Sequence, residues 1–362
     1  MALSLLAKMH PVVPQSARPI YSGGDQAPNT LQTVIGVGGF GVVYKVDVGN
    51  GVIAARKTFA ANDNRIQWEV AFLKRARDEN AGNVLHLLLP PQAATTSFEQ
   101  AYHHPDGRLS IDMEWAPLGT IKEYIANYPW IRVTEGLVAW VGRQLFSGVM
   151  WLHERNILHG DIKPDNLLCW DGPYAPYVKL GDLGSSVTLN KLGVDCMHAI
   201  ARCITTYSYA APEMLLAGLA PKEQISRLAD IYSATYTLME LSGTQAPEYP
   251  RARTPRDATH EARMRSLHAR RPKNLMVYHP RFKPSPALEA FFATGTAWES
   301  KDRRDAVTLI AHPALQGVQG GHIAERWVLE SELAACEAAR SAAVSELTVL
   351  RGQLAATRAK VN

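Results

Sequence analysis

Residues 157–168 read ILHGDIKPDNLL. Apolar ends enclose a polar turn that carries an acid (Asp161), a cation (Lys163) and an amide (Asn166). On either side of this turn the chain changes character. From about Leu31 to Trp115, short β-branched runs are broken by Gly and Asn, with one helical stretch from Arg65 to Arg77. That pattern predicts a small twisted antiparallel sheet with a single helix. Beyond Pro117 the period becomes helical. In Glu135 to His153, for example, Leu137, Val141, Leu145, Val149 and Leu152 share one face. The fold class expected is therefore α+β in two lobes, a small sheet lobe over residues 31–115 and a larger, mainly helical lobe over 116–316.

Within the first lobe, IGVGGFGVVYKV places Gly36, Gly38 and Gly41 between two strand-like runs. A hairpin without Cβ atoms can press its backbone N–H groups against phosphate oxygens. The same glycines also fit an ordinary turn or a dinucleotide loop, but a dinucleotide loop should run into a helix, and VVYKVDVG continues as a strand. Phe40 would cap the tip of the hairpin and Val43 would lie over a purine. Sixteen residues after Gly41, Lys57 ends the strand VIAARK. It is either a solvated edge charge or a cation for phosphates, and in the second case a carboxylate must hold it. Glu69, one helical turn before Leu73, is the candidate, with a surface helix glutamate as the alternative.

With these pieces in place, ILHGDIKPDNLL resembles the catalytic loop of the eukaryotic-type protein kinase family, HRDxKxxN, as His159, Gly160, Asp161, Lys163 and Asn166. The resemblance implies a bilobal kinase fold that uses ATP and Mg2+ to phosphorylate protein Ser or Thr hydroxyls. It implies that Asp161 orients the attacking hydroxyl and accepts its proton. Lys163 would stabilise the transferred phosphoryl, and Asn166 would bind a magnesium ion. KLGDLGSS resembles the family's DFG segment with Leu183 for Phe, so Asp182 would bind magnesium. Leu183 is expected to fill an apolar slot beside His159 and Leu73. Met113, Glu114 and Ala116 resemble the hinge, with Met113 as gatekeeper, and Ala55 and Leu168 would close the purine slot from above and below. Ala211, Pro212 and Glu213 resemble the end of the activation segment. Asp230 matches a buried aspartate that anchors the catalytic loop, and Arg303 would pair with Glu213. The likeness covers roughly residues 31–316. Lys163 favours Ser/Thr over Tyr as acceptor.

Two departures from the family pattern carry expectations of their own. Gly160 stands where many kinases place an arginine that reads an activation-loop phosphate. A phosphate on Thr188, Thr205 or Thr206 would then lack one charge-assisted partner, so activity should not strictly require it. The short interval from Lys57 to Glu69 makes Glu69 the least secure assignment. HGDIKPDN with DLG is also similar to kinases of the mitotic spindle checkpoint, although those typically lack the regular APE kept here.

The remaining expectations come from composition. Four cysteines at irregular spacing, without a CxxC pair, argue against a disulfide framework or a zinc site and fit a reducing, intracellular, cytoplasmic compartment, with the nucleus also open. No apolar run is long enough to cross a bilayer, and residues 1–30 read as a poorly ordered leader. Arg251 to Lys283 holds ten Lys or Arg against two acidic residues. This is either a solvated loop or a docking site for an acidic segment of a protein substrate; nucleic acid is a distant third. In residues 317–362, Leu333, Leu347, Leu354 and Val361 fall on one seven-residue repeat, with Arg340 on the same seam and Gly352 interrupting. This predicts a terminal helix that either packs on the lobe through Trp327 and Val328 or pairs weakly with a partner helix, as in a coiled-coil dimer. The competing functional class is a pseudokinase scaffold. Lys57, Asp161, Lys163, Asn166 and Asp182 are all present, which favours the active enzyme.

Overall fold

A computed structural model describes residues 33–38, 41–49, 51–59, 66–88, 102–103, 108–127, 135–172, 175–189, 206, 208–216, 225–242, 284–316 and 340–351, together with 262, 266 and 353. The leader, Phe40, nearly all of the basic stretch 251–283, Thr205, Trp327, Val328 and the seam residues Leu333, Leu354 and Val361 lie outside the described residues.

The small lobe is an antiparallel sheet. Strands β1 (Thr33–Gly38), β2 (Gly41–Asp47) and β3 (Ile53–Phe59) form a meander. β3 then pairs with β6 (Leu109–Glu114), whose far edge takes β4 (Leu87–Leu88) and β5 (Tyr102–His103). β3 is buried from Ala54 onward, so it lacks the polar–apolar alternation of a half-exposed strand. Lys57 shares one face with Ala55, while Arg56 and Thr58 take the other. There Arg56 makes a two-pronged ion pair with Asp112 at 2.7 and 2.9 Å, and the Thr58 and Ser110 hydroxyls bond at 2.7 Å. Helix α1 (Ile66–Asp78) buries Ile66, Glu69, Val70, Phe72, Leu73 and Ala76, and its last turn carries Arg75 and Arg77, favourable at a helix C-terminus.

The large lobe is built on two helices. α3 (Glu135–Glu154) follows the short α2 (Ile121–Asn127) and buries all five residues of its predicted stripe. α5 (Leu228–Leu241), preceded by α4 (Pro212–Leu216), is buried almost all round. Its Ser233, Thr235 and Thr237 hydroxyls are satisfied by carbonyls one turn back, so the polar groups enter the core without loss. Around them pack α6 (Pro286–Gly295), capped by the Ser285 hydroxyl, α7 (Ala306–Ile310) and α8 (Pro313–Gln316). One contiguous core runs from Leu73 and Val70 through Leu183 to Phe146, Phe291 and Leu315, so the two lobes share apolar packing. Between them lie two short antiparallel pairs. β7 (Ile157–Leu158) pairs with β10 (Val187–Thr188), and β8 (Leu167–Trp170) pairs with β9 (Tyr177–Leu180). These pairs hold both ends of the polar turn quoted above. The bilobal α+β fold expected from the sequence is the one observed.

Candidate active site

The polar turn is fixed from beneath by one carboxylate. Asp230, fully inside α5, accepts from the backbone N–H groups of His159 (2.8 Å) and Gly160 (2.9 Å) and bonds His153 Nε2 at 3.0 Å. Burial opposes its charge, but these donors outweigh it and hold the carboxyl below the usual range. Gly160 has φ +81°, a left-handed conformation that costs glycine nothing and any other residue strain. The His159 ring reaches across the site. Its Nδ1 accepts from Asp161 N at 3.2 Å, so its Nε2 is the donor to Gly181 O at 2.9 Å. One buried imidazole thus fixes both the polar turn and the turn before Asp182.

Asp161 is buried, and its two carboxylate oxygens have different partners. Oδ1 accepts from Thr206 N at 2.7 Å and Oδ2 from Lys163 Nζ at 2.7 Å. Lys163 also donates to Thr206 Oγ1 at 2.8 Å, which closes a three-residue ring. Asn166 donates through Nδ2 to Asp161 O at 2.7 Å, leaving its amide oxygen as the atom available to a cation. Gly181 N bonds Asn166 O, so the β8–β9 hairpin brings Asn166 next to Asp182.

Lys57 donates to both oxygens of Glu69 (2.7 and 2.9 Å) and to Asp182 Oδ1 (2.9 Å). The interval of 12 residues is long enough because α1 begins at Ile66 and presents Glu69 in its first turn. Burial works against the ammonium, yet Glu69 and Asp182 together raise its pKa above the ordinary lysine value. Asp182 shows the converse effect: burial works against its charge, and Lys57 holds the carboxyl below its ordinary value. Asp182 itself sits at φ 56°, ψ 68°, a left-handed conformation that costs a non-glycine residue about 1–2 kcal/mol. The charges at its side chain and the wholly buried Leu183 that follows it keep it there. Leu183 joins the same apolar cluster as Leu73, the slot expected for it.

Above this, the β1–β2 hairpin, Ala55, Met113, Ala116 and Leu168 line a cleft of about 930 Å³ that also reaches Lys57, Glu69, Asn166, Asp182 and Lys163. Gly36, Gly41, Val43 and Glu114 line it too. Gly38 closes the hairpin opposite Gly41. At Gly41, φ is +136° and a Cβ would fall 2.1 Å from Thr58 O, so no other residue fits. Glu114, expected to contribute hinge backbone, is also held through its side chain. Its side chain takes Lys179 Nζ at 2.7 and 2.8 Å and accepts from His86 N at 2.9 Å, and its own N–H donates to His86 O.

Three polar arrangements here escaped the sequence reading. In sequence Thr206 reads only as a phosphate acceptor, but its hydroxyl and amide are both drawn into the Asp161–Lys163 ring, where a phosphate would meet a carboxylate. Lys179 lies three residues before Asp182 in a short apolar strand, a placement that could have marked it as buried. Nothing in the local sequence signals the Arg56–Asp112 pair. Farther off, Arg303 pairs with Glu213 at 2.6 and 2.8 Å, as expected.

The family model for the protein kinase domain matches residues 30–315. Human mitogen-activated protein kinase kinase kinase 6 is 27% identical over 294 residues, 78% of this chain and 20% of that protein. The pig proto-oncogene serine/threonine-protein kinase mos is 29% identical over 228 residues, 59% of this chain and 61% of that one. Mitogen-activated protein kinase kinase 8 of Arabidopsis thaliana is 29% identical over 223 residues, 60% and 64% of the two chains. In each case the match spans less than two thirds of the relative's length. Two lobes around a cleft, with the family's charged residues gathered at its floor, agree with a match across most of the chain, and the chain belongs to the protein kinase domain family.

Proposed function

We propose that this chain is an active serine/threonine protein kinase that transfers the γ-phosphoryl group of Mg-ATP to Ser or Thr hydroxyls of protein substrates. The observation that carries this reading is the convergence of Lys57, Asp182, Asn166, Lys163 and Thr206 on one cleft. The apolar slot of Val43, Ala55, Met113 and Leu168 suits a purine, with hinge backbone from Glu114 to Ala116 along its edge. Lys57, steadied by Glu69, would neutralise the α- and β-phosphates. The oxygens of Asn166 and Asp182 suit magnesium, which favours one or two protein oxygens supplemented by phosphates and, when bound, neutralises charge on the phosphates. Asp161 would orient the acceptor hydroxyl and take its proton as the oxygen bonds to phosphorus and the bond to ADP breaks. Lys163 would counter charge on the moving phosphoryl group.

Thr206 strengthens the choice of acceptor. Bonded to both Asp161 and Lys163, it forms a polar wall beside the proton acceptor, in keeping with a short aliphatic hydroxyl there. The Lys57–Glu69 pair is complete without any phosphate, which supports activity independent of loop phosphorylation. No helix among the described residues is long and apolar enough to cross a membrane; ATP dependence and the free thiol of Cys169 fit an intracellular site of action.

The direct test is transfer of labelled γ-phosphate to a mixed Ser/Thr/Tyr peptide library by wild type and Asp161→Ala. Labelling of Ser and Thr by wild type alone is expected. Equal labelling by both proteins, or none by either, would overturn the reading.

A further inference from the structure

We propose that the C-terminal helix joins two copies of this chain as a parallel two-stranded coiled coil. Residues 340–351 are helical, and every one is exposed. Val344, Leu347 and Leu350 are 59, 50 and 55% exposed, so their apolar surface is not used by either lobe. A lone helix of this length is marginal in water. Its hydroxyl bonds, Ser345 to Ser341 O and Thr348 to Val344 O, satisfy polar groups without covering the apolar ones.

The occupant is argued from the period and the charges. Leu347 continues the seven-residue series of Leu333, Leu354 and Val361, and Leu350 continues a second series with Cys336 and Ala343. The two series alternate at spacings of three and four, the a and d positions of a heptad. Leu347 and Leu350 lie on this seam and Val344 beside it at e, an exposed apolar face that a second copy of the same helix would cover. In that register Glu346 and Arg351 flank the seam at g and e. In a parallel pair, Glu346 of each copy reaches Arg351 of the other, so the contact forms twice; a partner helix of unrelated sequence would not supply it. Arg340 at an a position weakens the seam but disfavours slipped registers.

The experiment is sedimentation equilibrium of the full chain at micromolar concentrations. Wild type should show twice the chain mass of 39.8 kDa, and the double variant Leu347→Asp, Leu350→Asp should show the single mass. Neither position lines the cleft, and retained circular dichroism of the lobes would establish that the variant folds. Glu346→Arg or Arg351→Glu alone should weaken the dimer at low salt, and the two together should restore it. Mild oxidation should link wild-type chains through Cys336 but not Cys336→Ser chains, because only the parallel arrangement places the two sulfurs together. A monomeric wild type, or a dimer that survives the double Asp change, would overturn the proposal. Failure of the swap and of the cross-link would overturn the parallel arrangement. None of these readouts depends on phosphoryl transfer.

Discussion

Lys57–Glu69 in the small lobe and Arg303–Glu213 in the large lobe are both buried ion pairs with contacts between 2.6 and 2.9 Å, yet they are built differently. Arg303 spends its planar fork on five bonds: two to Glu213 and one each to the carbonyls of Leu228, Ala297 and Trp298. Its face also stacks over Tyr232 at 4.9 Å. Its side chain is 0% exposed, and the arrangement is closed. Lys57 is a point charge on a flexible stem, shared between Glu69 and an Asp182 that is 29% exposed and faces the cleft. An ammonium can exchange one partner for a phosphate without leaving the other; a guanidinium locked into five bonds cannot. One pair is therefore suited to support the fold, and the other to serve a ligand.

The largest expected effect comes from breaking the closed pair. Arg303→Ala leaves the Glu213 carboxylate buried without its cation, and should lower the unfolding free energy by about 3–5 kcal/mol. Chemical denaturation measures this. The protein that remains folded should keep its nucleotide affinity. Lys57→Met should act on the ligand as well: phosphoryl transfer should fall by about 10²–10³-fold, the scale for losing one preorganised electrostatic contact, and because the change strips the buried Glu69 of its cation it should also cost stability on the scale of Arg303→Ala. A Lys57→Met protein that keeps wild-type nucleotide affinity and transfer would erase the distinction.

A smaller effect appears in the pH dependence. The pKa of Asp182 is depressed, so its contribution to stability is fully present above its unfolded value near 3.8 and is lost as pH falls through the lower folded value. The pKa of Lys57 is raised, so its contribution is fully present below its unfolded value near 10.5 and is lost only as pH rises through the higher folded value. The open cluster should therefore hold unchanged across the range between those limits. In urea unfolding, the stability difference between wild type and Asp182→Asn should be flat from pH 5 to pH 9 and should shrink below about pH 4. A difference that declines through neutral pH would mean that another group titrates in the cluster.

What the sequence disclosed follows the same division. Asp161, Lys163, Asn166 and Asp182 could be read because each sits in a short string whose chemistry is local. Glu69 could be guessed because helical spacing put it on the same face as Leu73. The ring through Thr206, the Lys179–Glu114 pair and the Arg56–Asp112 pair could not, since they join residues 43, 65 and 56 positions apart. No local period encodes such pairings; they depend on how the strands and loops register. The two lobes were legible from the change of period near Pro117, but β4 and β5, with two residues each, are too short to leave a pattern.

The smallest effect tests a third buried carboxylate, one with no Lys or Arg partner. Asp230 holds the catalytic loop through the backbone N–H groups of His159 and Gly160, and the price of that grip is the left-handed φ of +81° at residue 160. Glycine takes this conformation without strain, so the residue that removes a phosphate-reading arginine also relaxes the loop that positions Asp161. Gly160→Ala should therefore lower stability by about 1 kcal/mol, while the Lys57 and Arg303 clusters remain intact. Gly160→Arg should cost a similar amount and introduce a cation beside the activation segment. If Gly160 sets the regulation, wild type should be equally active before and after phosphatase treatment, whereas Gly160→Arg should gain a dependence on loop phosphate. A wild type silenced by phosphatase would show that another cation reads the phosphate, and that the glycine at this position serves the backbone alone.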